Sequence, residues 1–271
     1  MKAYIVNLPQ DRLRRESMDQ ELEKTGLVHE FVEAVDGWAL TSAERASLVD
    51  EAAVARSPKW LTAGLIGCSL SHLRAYERIV QAGDEIALVL EDDVRLPHAI
   101  AETASEVASH MSGSEVVLLY FRSLGVCGFS ARDSVPLSGH MQLVYPMNIR
   151  QLGSTVAYLI TGEACRRLAD VVLPIRFGPD SWDELYGLCA IQSVRCVFPR
   201  PVATRMDFKS TITKPRTTPV GRTTGFIARH RIFPLFQLLA LNRYVIERRM
   251  SRIEIMPERS PIAVARSVNT T

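Results

Sequence analysis

Ile86-Ala87-Leu88-Val89-Leu90 runs straight into Glu91-Asp92-Asp93, and the reading of the fold starts at that junction. An unbroken apolar run with no polar alternation predicts a strand buried on both faces of a mainly parallel sheet. Upstream, Leu70, Leu73, Tyr76 and Val80 recur at helical spacing over Ser69–Val80, with Ser69 or Ser71 placed to cap the start and Gly83-Asp84 to break the end. Open α/β sheets bind ligands at the carboxyl ends of their strands, so the three acids fall where a site is expected. Adjacent carboxylates repel one another. A hard divalent cation such as Mg²⁺ or Mn²⁺, held by Glu91, Asp92 and Asp93 together with substrate phosphates, would neutralise them. The alternative is an acidic, solvated turn.

The rest of the chain extends the same alternation. Ala3–Leu8 reads as a strand and Asp11–Thr25 as a helix with Gly26 as its C-cap. Phe31–Val35 reads as a strand closed by the Asp36-Gly37 turn, and Thr41–Ala55 as one polar helix. Further strands are expected at Val116–Tyr120, Gln142–Tyr145, Thr155–Ile160 and Ser193–Phe198, with a helix at Gly162–Val171. The pattern defines an α/β domain over residues 1–212. Thr213–Thr224, rich in Thr, Pro and Arg, marks 213–225 as a linker or mobile loop; 226–252 reads as a basic amphipathic helical segment and 253–271 as a disordered tail.

Of the 271 residues 47% are hydrophobic, enough for a sizeable core, and the net charge of +2 hides an asymmetry. From Arg200 onward there are 14 Lys and Arg against 4 Asp and Glu; before it there are 18 against 26. The basic end calls for an anionic partner, and no helix-turn-helix, zinc-finger or ribonucleoprotein signature directs it to nucleic acid. Phe226–Met250 has an apolar centre too short to span a bilayer, flanked by Arg229, Arg231, Arg243, Arg248 and Arg249. It suits peripheral attachment to the anionic inner leaflet, or packing on the domain. The start of the chain lacks the features of a secretory signal, which predicts a cytoplasmic protein. Five scattered cysteines form no CxxC pair or disulfide framework. No GxGxxG or GxxxxGK[ST] occurs, and GCSLS lacks the spacing of a nucleophile elbow.

Four motifs in order, YIVNL, DRLRRESM, FVEAVDG and IGCSLSH, followed by a helix and a strand closing in EDD, resemble glycosyltransferase family 25. That is the lipopolysaccharide and lipooligosaccharide galactosyltransferase group, which also includes the collagen galactosyltransferases. Weaker resemblance continues through GSTVAYLITGEACRRL (Gly153–Leu168) and FKSTI (Phe208–Ile212). The resemblance implies a GT-A type nucleotide-sugar-binding fold, a UDP-sugar donor (commonly galactose), Mn²⁺, inversion at the anomeric carbon, and a lipid-linked or surface glycan acceptor. By the same resemblance, Glu91, Asp92 and Asp93 match the metal and diphosphate motif. Asn7, Asp11, Arg12 and Arg15 fall near the nucleotide, and Ser71 and His72 fall in the SH motif. Two departures are Leu65, where the family often has an acid, and the loosened LPIRFGPDSWDEL.

Arg12 and Arg15, one helical turn apart, could both face a diphosphate or simply be solvated. His72 has the alternative of a hydrogen-bonded structural histidine, and Ser71 that of a helix cap. Asp180, Asp183 and Glu184 cluster beside Trp182, an arrangement that suits acceptor-sugar binding on an aromatic platform, with Asp180 or Asp183 as general base, or else an acidic loop around a packed tryptophan. Loops such as Ser123–His140 are expected to select the acceptor. The competing functions are a glycoside hydrolase, which needs two carboxylates flanking the bond, and a non-catalytic adaptor in envelope glycan assembly.

Overall fold

The structure, a computed structural model, describes residues 1–56, 61–123, 127–205, 227, 232–238, 241 and 253–256. In chain order the first elements are β1 (Lys2–Asn7), α1 (Arg12–Glu23), β2 (His29–Glu33), α2 (Ser42–Leu48), α3 (Glu51–Arg56), α4 (Ala63–Ala82) and β3 (Ile86–Glu91). Next come β4 (Val94–Arg95), α5 (Ile100–Ala108), β5 (Glu115–Leu118), β6 (Arg122–Ser123), β7 (Cys127–Pro136), β8 (Gln142–Pro146), β9 (Leu152–Gly153) and β10 (Ala157–Thr161). The remainder is α6 (Gly162–Val171), α7 (Trp182–Gly187), β11 (Ser193–Phe198), β12 (Ala203–Thr204) and β13 (Ile253–Met256).

Among the described residues nine strands form one sheet in the order β13-β7-β8-β11-β5-β10-β3-β1-β2. β10 and β8 run against the other seven strands, so the sheet is mainly parallel in direction, as expected. β1 lies between β2 and β3, with Ile5 opposite Phe31 on one side and Leu90 on the other. Ala87 to Leu90 are fully buried, which is why that strand has no polar alternation.

Alternate residues of the central strands feed two cores. Tyr4, Val6, Ala87 and Val89 face α4 and α6 through Ile66, Leu70, Leu73, Tyr76, Ile79 and Leu168. Ala3, Ile5, Leu88 and Leu90 face α1 and α5 through Met18, Leu22, Ile100, Ala104 and Val107. Helices on both faces make a three-layer α/β domain. Each fully buried aliphatic side chain contributes about 1.5–3 kcal/mol, so the sheet is a rigid platform for the turns and loops at its strand ends.

Several local expectations change. α4 begins at Ala63, with the Thr62 hydroxyl accepting Leu65 N–H at 3.3 Å, so the cap is Thr62; Ser69 and Ser71 lie inside the helix and are buried. Gly83, at φ 73°, ends it where expected. The single helix expected over Thr41–Ala55 is two, because Val49 bridges to Ile175 and Asp50 N–H donates to Ile175 O at 2.9 Å. Cys127–Pro136 is a strand hairpinned with β8, inside the region read as an acceptor loop. Ile253–Met256, at the start of the expected tail, pairs parallel with β7. The linker 213–225, most of the segment 226–252 and the rest of the tail lie outside the described residues, as does Phe208–Ile212. No helix among the described residues is long and apolar enough to cross a membrane.

Candidate active site at the carboxyl ends of three strands

β1, β2 and β3 are parallel, so their carboxyl ends open on the same edge of the sheet. A pocket forms there. It is lined by Val6 of β1 and Leu8 after it, Arg14 of α1, the Ala34–Trp38 loop after β2, Gly64, Cys68, Ser71 and His72 of α4, and the acids Glu91, Asp92 and Asp93. Two glycines let the loop lie against the helix. A Cβ on Gly37 would fall 1.9 Å from Ala63 O, and one on Gly67 would fall 2.5 Å from Gly37 N. Ser71 pins the same contact, its hydroxyl accepting Val35 N–H at 2.8 Å and donating to Gly67 O at 2.6 Å. The VDG and IGC motifs, thirty residues apart in sequence, are therefore two halves of one junction.

The three acids have different surroundings. Asp92 is buried and fully engaged: Asn7 Nδ2 donates to Oδ2 at 2.7 Å and Arg14 Nη1 to Oδ1 at 2.5 Å. Glu91 Oε1 accepts from the Thr155 hydroxyl at 2.6 Å and lies 3.8 Å from His72 Nε2. Asp93 has Arg14 at 3.6 Å from its Oδ2, and its Oδ1 is buried with no hydrogen-bond partner among the described residues. Burial first, then repulsion by Glu91 and Asp92 against the pull of Arg14, pushes the Asp93 carboxyl up to about 6. Burial also holds Asp92 above its ordinary value, against the attraction of Arg14 and the hydrogen bond from Asn7.

The residues expected from sequence divide accordingly. Asn7, Ser71, His72, Glu91, Asp92 and Asp93 come together, but Asn7 orients Asp92 and Ser71 pins the loop. Asp11 sits at the start of α1, its backbone oxygen 3.4 Å from Asn7 Nδ2. Arg12 is exposed and Arg15 lies over the Phe31 ring at 4.1 Å; neither lines the pocket. Among the described residues Arg14 pairs with the acids, and sequence reasoning missed it although Arg14, Met18 and Leu22 recur at four-residue spacing along the buried face of α1. Asp92, expected as a metal ligand, has Arg14 as its cation instead.

Trp182 is fully buried with its ring 5.6 Å from Tyr158, so it is a core tryptophan and not a sugar platform. Asp183 pairs with Arg150 at 3.2 Å. Asp180 Oδ2 accepts Ser154 N–H at 2.9 Å, where Ser154 has the unusual φ of 107° one residue before Thr155. The exposed aromatic of the pocket is Trp38, 43% accessible on its rim. Arg122 on β6 feels the charges of both Glu91 and Asp93, after its larger interaction with Tyr120.

The geometry is that of an α/β protein with an acidic pocket at its strand ends. The profile of glycosyltransferase family 25 (LPS biosynthesis protein) matches residues 1–182, and the chain belongs to that family. Procollagen galactosyltransferase 2 of Homo sapiens is 30% identical over 119 residues, covering 42% of this chain and 19% of that protein. A putative glycosyltransferase of Haemophilus influenzae is 26% identical over 171 residues, 62% of this chain and 57% of that one. Inactive glycosyltransferase 25 family member 3 of Homo sapiens is 37% identical over 98 residues, 35% and 16% of the two chains. The chain thus spans about a fifth or less of the length of these human relatives.

Proposed function

We propose that this chain is an inverting glycosyltransferase that moves a hexose, galactose in the first instance, from a UDP-sugar to a lipopolysaccharide or other surface glycan, with a divalent cation at Asp93. The observation that carries it is the buried Asp93 Oδ1, left without a partner beside Glu91 at the edge of the pocket. An oxygen donor of that kind fits a hard cation, Mn²⁺ or Mg²⁺, and Glu91 offers a second. Such an ion, when bound, stabilises the charge that gathers on a departing diphosphate.

The chain's own residues divide the rest of the work. Arg14 and Asn7 lock Asp92 and so fix the turn that carries Asp93. Arg122 offers a second cation to the diphosphate, and Trp38 an aromatic face to the base or the sugar. In the transfer, the acceptor oxygen attacks the anomeric carbon while the bond to the diphosphate oxygen breaks on the opposite face, and the hydroxyl proton passes to a carboxylate. Of the two expected bases we assign Asp180, because Asp183 is paired with Arg150. A membrane-bound, lipid-linked acceptor would suit the basic C-terminal end, with the protein on the cytoplasmic face.

Incubating the purified protein with a panel of nucleotide sugars, with Mn²⁺, Mg²⁺ or chelator, tests the reading. Mn²⁺-dependent hydrolysis of a UDP-hexose is expected; nucleotide-independent cleavage of a glycoside would return the hydrolase reading. The inactive human relative favours one alternative, a non-catalytic family member, and the absence of any nucleotide-sugar binding would select it.

A further inference from the structure

We propose that Cys68, His72 and Glu91 form a second cation position at the base of the pocket, suited to a borderline-soft ion, Zn²⁺, and distinct from the oxygen-only position at Asp93. Their ligand atoms, one thiol sulfur, one imidazole nitrogen and one carboxylate oxygen, all lie within 4.8 Å of one another. The proposal shares Glu91 with the donor-site reading but does not rest on it.

The helix and the strand make this arrangement. Cys68 and His72 are four residues apart on α4 and so project from one face of it, toward the end of β3 that carries Glu91. His72 is the best-prepared ligand. Its side chain is 1% exposed, and Nε2 has no hydrogen-bond partner among the described residues while lying 3.8 Å from Glu91 Oε1. The other nitrogen, Nδ1, is 2.8 Å from the Tyr158 hydroxyl, which donates its own hydrogen to Tyr76 at 3.3 Å. With the Tyr158 hydrogen on Tyr76, the Tyr158 oxygen accepts Nδ1–H, and neutral His72 leaves its Nε2 lone pair free 3.8 Å from Glu91 Oε1. Glu91 has its own support in the Thr155 hydroxyl at 2.6 Å. Two of the three ligands, His72 and Glu91, are thus oriented by neighbouring hydrogen bonds, as ligands of built metal sites are.

The donor set selects the ion. Thiolate and imidazole favour zinc over manganese and magnesium, whereas the carboxylate at Asp93 favours the hard ions. Tetrahedral zinc holds its ligand atoms about 3.5 Å apart, a contraction that torsions of Cys68 and Glu91 can supply. Three protein ligands leave the fourth position open to the pocket. Binding replaces the thiol hydrogen of Cys68, releasing one proton. Because Glu91 serves both positions, zinc seated here withdraws a carboxylate from the Asp93 position and antagonises Mn²⁺.

Titration of metal-free full-length protein with Co²⁺ as a spectroscopic substitute, followed by displacement with Zn²⁺ against a chromophoric chelator, tests the site. Wild type is expected to develop a thiolate-to-cobalt charge-transfer band saturating at a single equivalent. Cys68→Ser should lose the band and weaken Zn²⁺ binding by about a hundredfold, while Asp93→Asn should keep both; Tyr158→Phe should weaken Zn²⁺ about tenfold. Melting curves confirm that the serine variant is folded. The proposal is overturned if wild type shows no thiolate band, or if Cys68→Ser binds Zn²⁺ as tightly as wild type. Loss of Mn²⁺-dependent activity in Asp93→Asn with an intact cobalt band separates the two positions, so either reading can fail alone.

Discussion

Two buried acidic clusters lie on opposite halves of the same sheet, and their hydrogen bonding separates them. On the far half, Glu115 accepts from Arg195 Nε at 2.5 Å and Nη2 at 2.9 Å, from the Ser193 hydroxyl at 2.7 Å and from Ser112 N–H at 3.2 Å. Arg195 also donates to His110 O at 2.6 Å. Neither residue leaves a buried polar atom without a partner. On the near half, both oxygens of Asp92 are served, yet Asp93 Oδ1 and His72 Nε2 are buried with no partner among the described residues. A charge buried with a complete set of partners holds the fold together; one buried with an incomplete set leaves room for a ligand. Burial and charge alone do not distinguish the two.

The largest effect should come from breaking the complete cluster. Glu115→Gln leaves Arg195 charged, 7% exposed and without its counter-ion, a change that costs about 3–5 kcal/mol. Thermal unfolding should shift downward by on the order of 10 °C. A loss below about 1 kcal/mol would mean that Glu115 and Arg195 contribute little and that the contrast between the clusters is false.

Next in size is the catalytic arm of the comparison. Asp93→Asn keeps the side chain's shape but removes the charge for a hard cation, so transfer should fall by about two orders of magnitude, or about 3 kcal/mol. Transfer rate against Mn²⁺ concentration is the measurement, and wild-type turnover by the variant under chelation would remove Asp93 and its cation together.

The sequence made some of this contrast visible and concealed the rest. Ile86–Leu90 declared its strand because burial on both faces removes the period-two signal, and the acids after it marked the site by position. Arg14 was hidden because its neighbours Arg12 and Arg15 look identical in composition; helix phase, with Met18 and Leu22, distinguishes them. Trp182 beside Asp183 read as an exposed platform because local sequence does not report that it is buried edge-to-face against the Tyr158 ring. The contact between Gly37 and Gly67 was equally invisible, since it joins segments whose approach depends on the sheet. The hairpin of β7 and β8 was missed because Ser130–Ser134 is polar and its pairing is irregular there.

A smaller effect is the pH response of the under-served cluster. With its carboxyl at about 6, Asp93 takes up a proton as pH falls through that value and loses its hold on a cation. At limiting Mn²⁺ the transfer rate should drop about tenfold per pH unit below about 6, and saturating Mn²⁺ should move the midpoint lower because metal and proton compete. A midpoint that ignores Mn²⁺ would detach the titration from the metal.

The smallest effect is the most discriminating, because it has the opposite sign in the two clusters. Asp93 ionises near 3.8 when unfolded and near 6 in the fold, so between those values the native state holds a proton that the unfolded chain has released. Native stability therefore falls as pH rises through that window, and above it the protein carries the full penalty of an ionised, repelled carboxylate. Asn carries none. The full shift corresponds to about 3 kcal/mol at 1.4 kcal/mol per unit, and solvent at the partly exposed carboxylate reduces this to on the order of 1–2 kcal/mol. Metal-free Asp93→Asn should accordingly melt a few degrees above wild type at pH 7.5, with the difference shrinking toward pH 4.5. Added Mn²⁺ should raise the wild-type melting temperature while leaving the variant nearly unmoved. If the variant instead melts below wild type at pH 7.5, Asp93 has a stabilising partner as Glu115 does, and the acids after β3 belong to the fold rather than to a ligand.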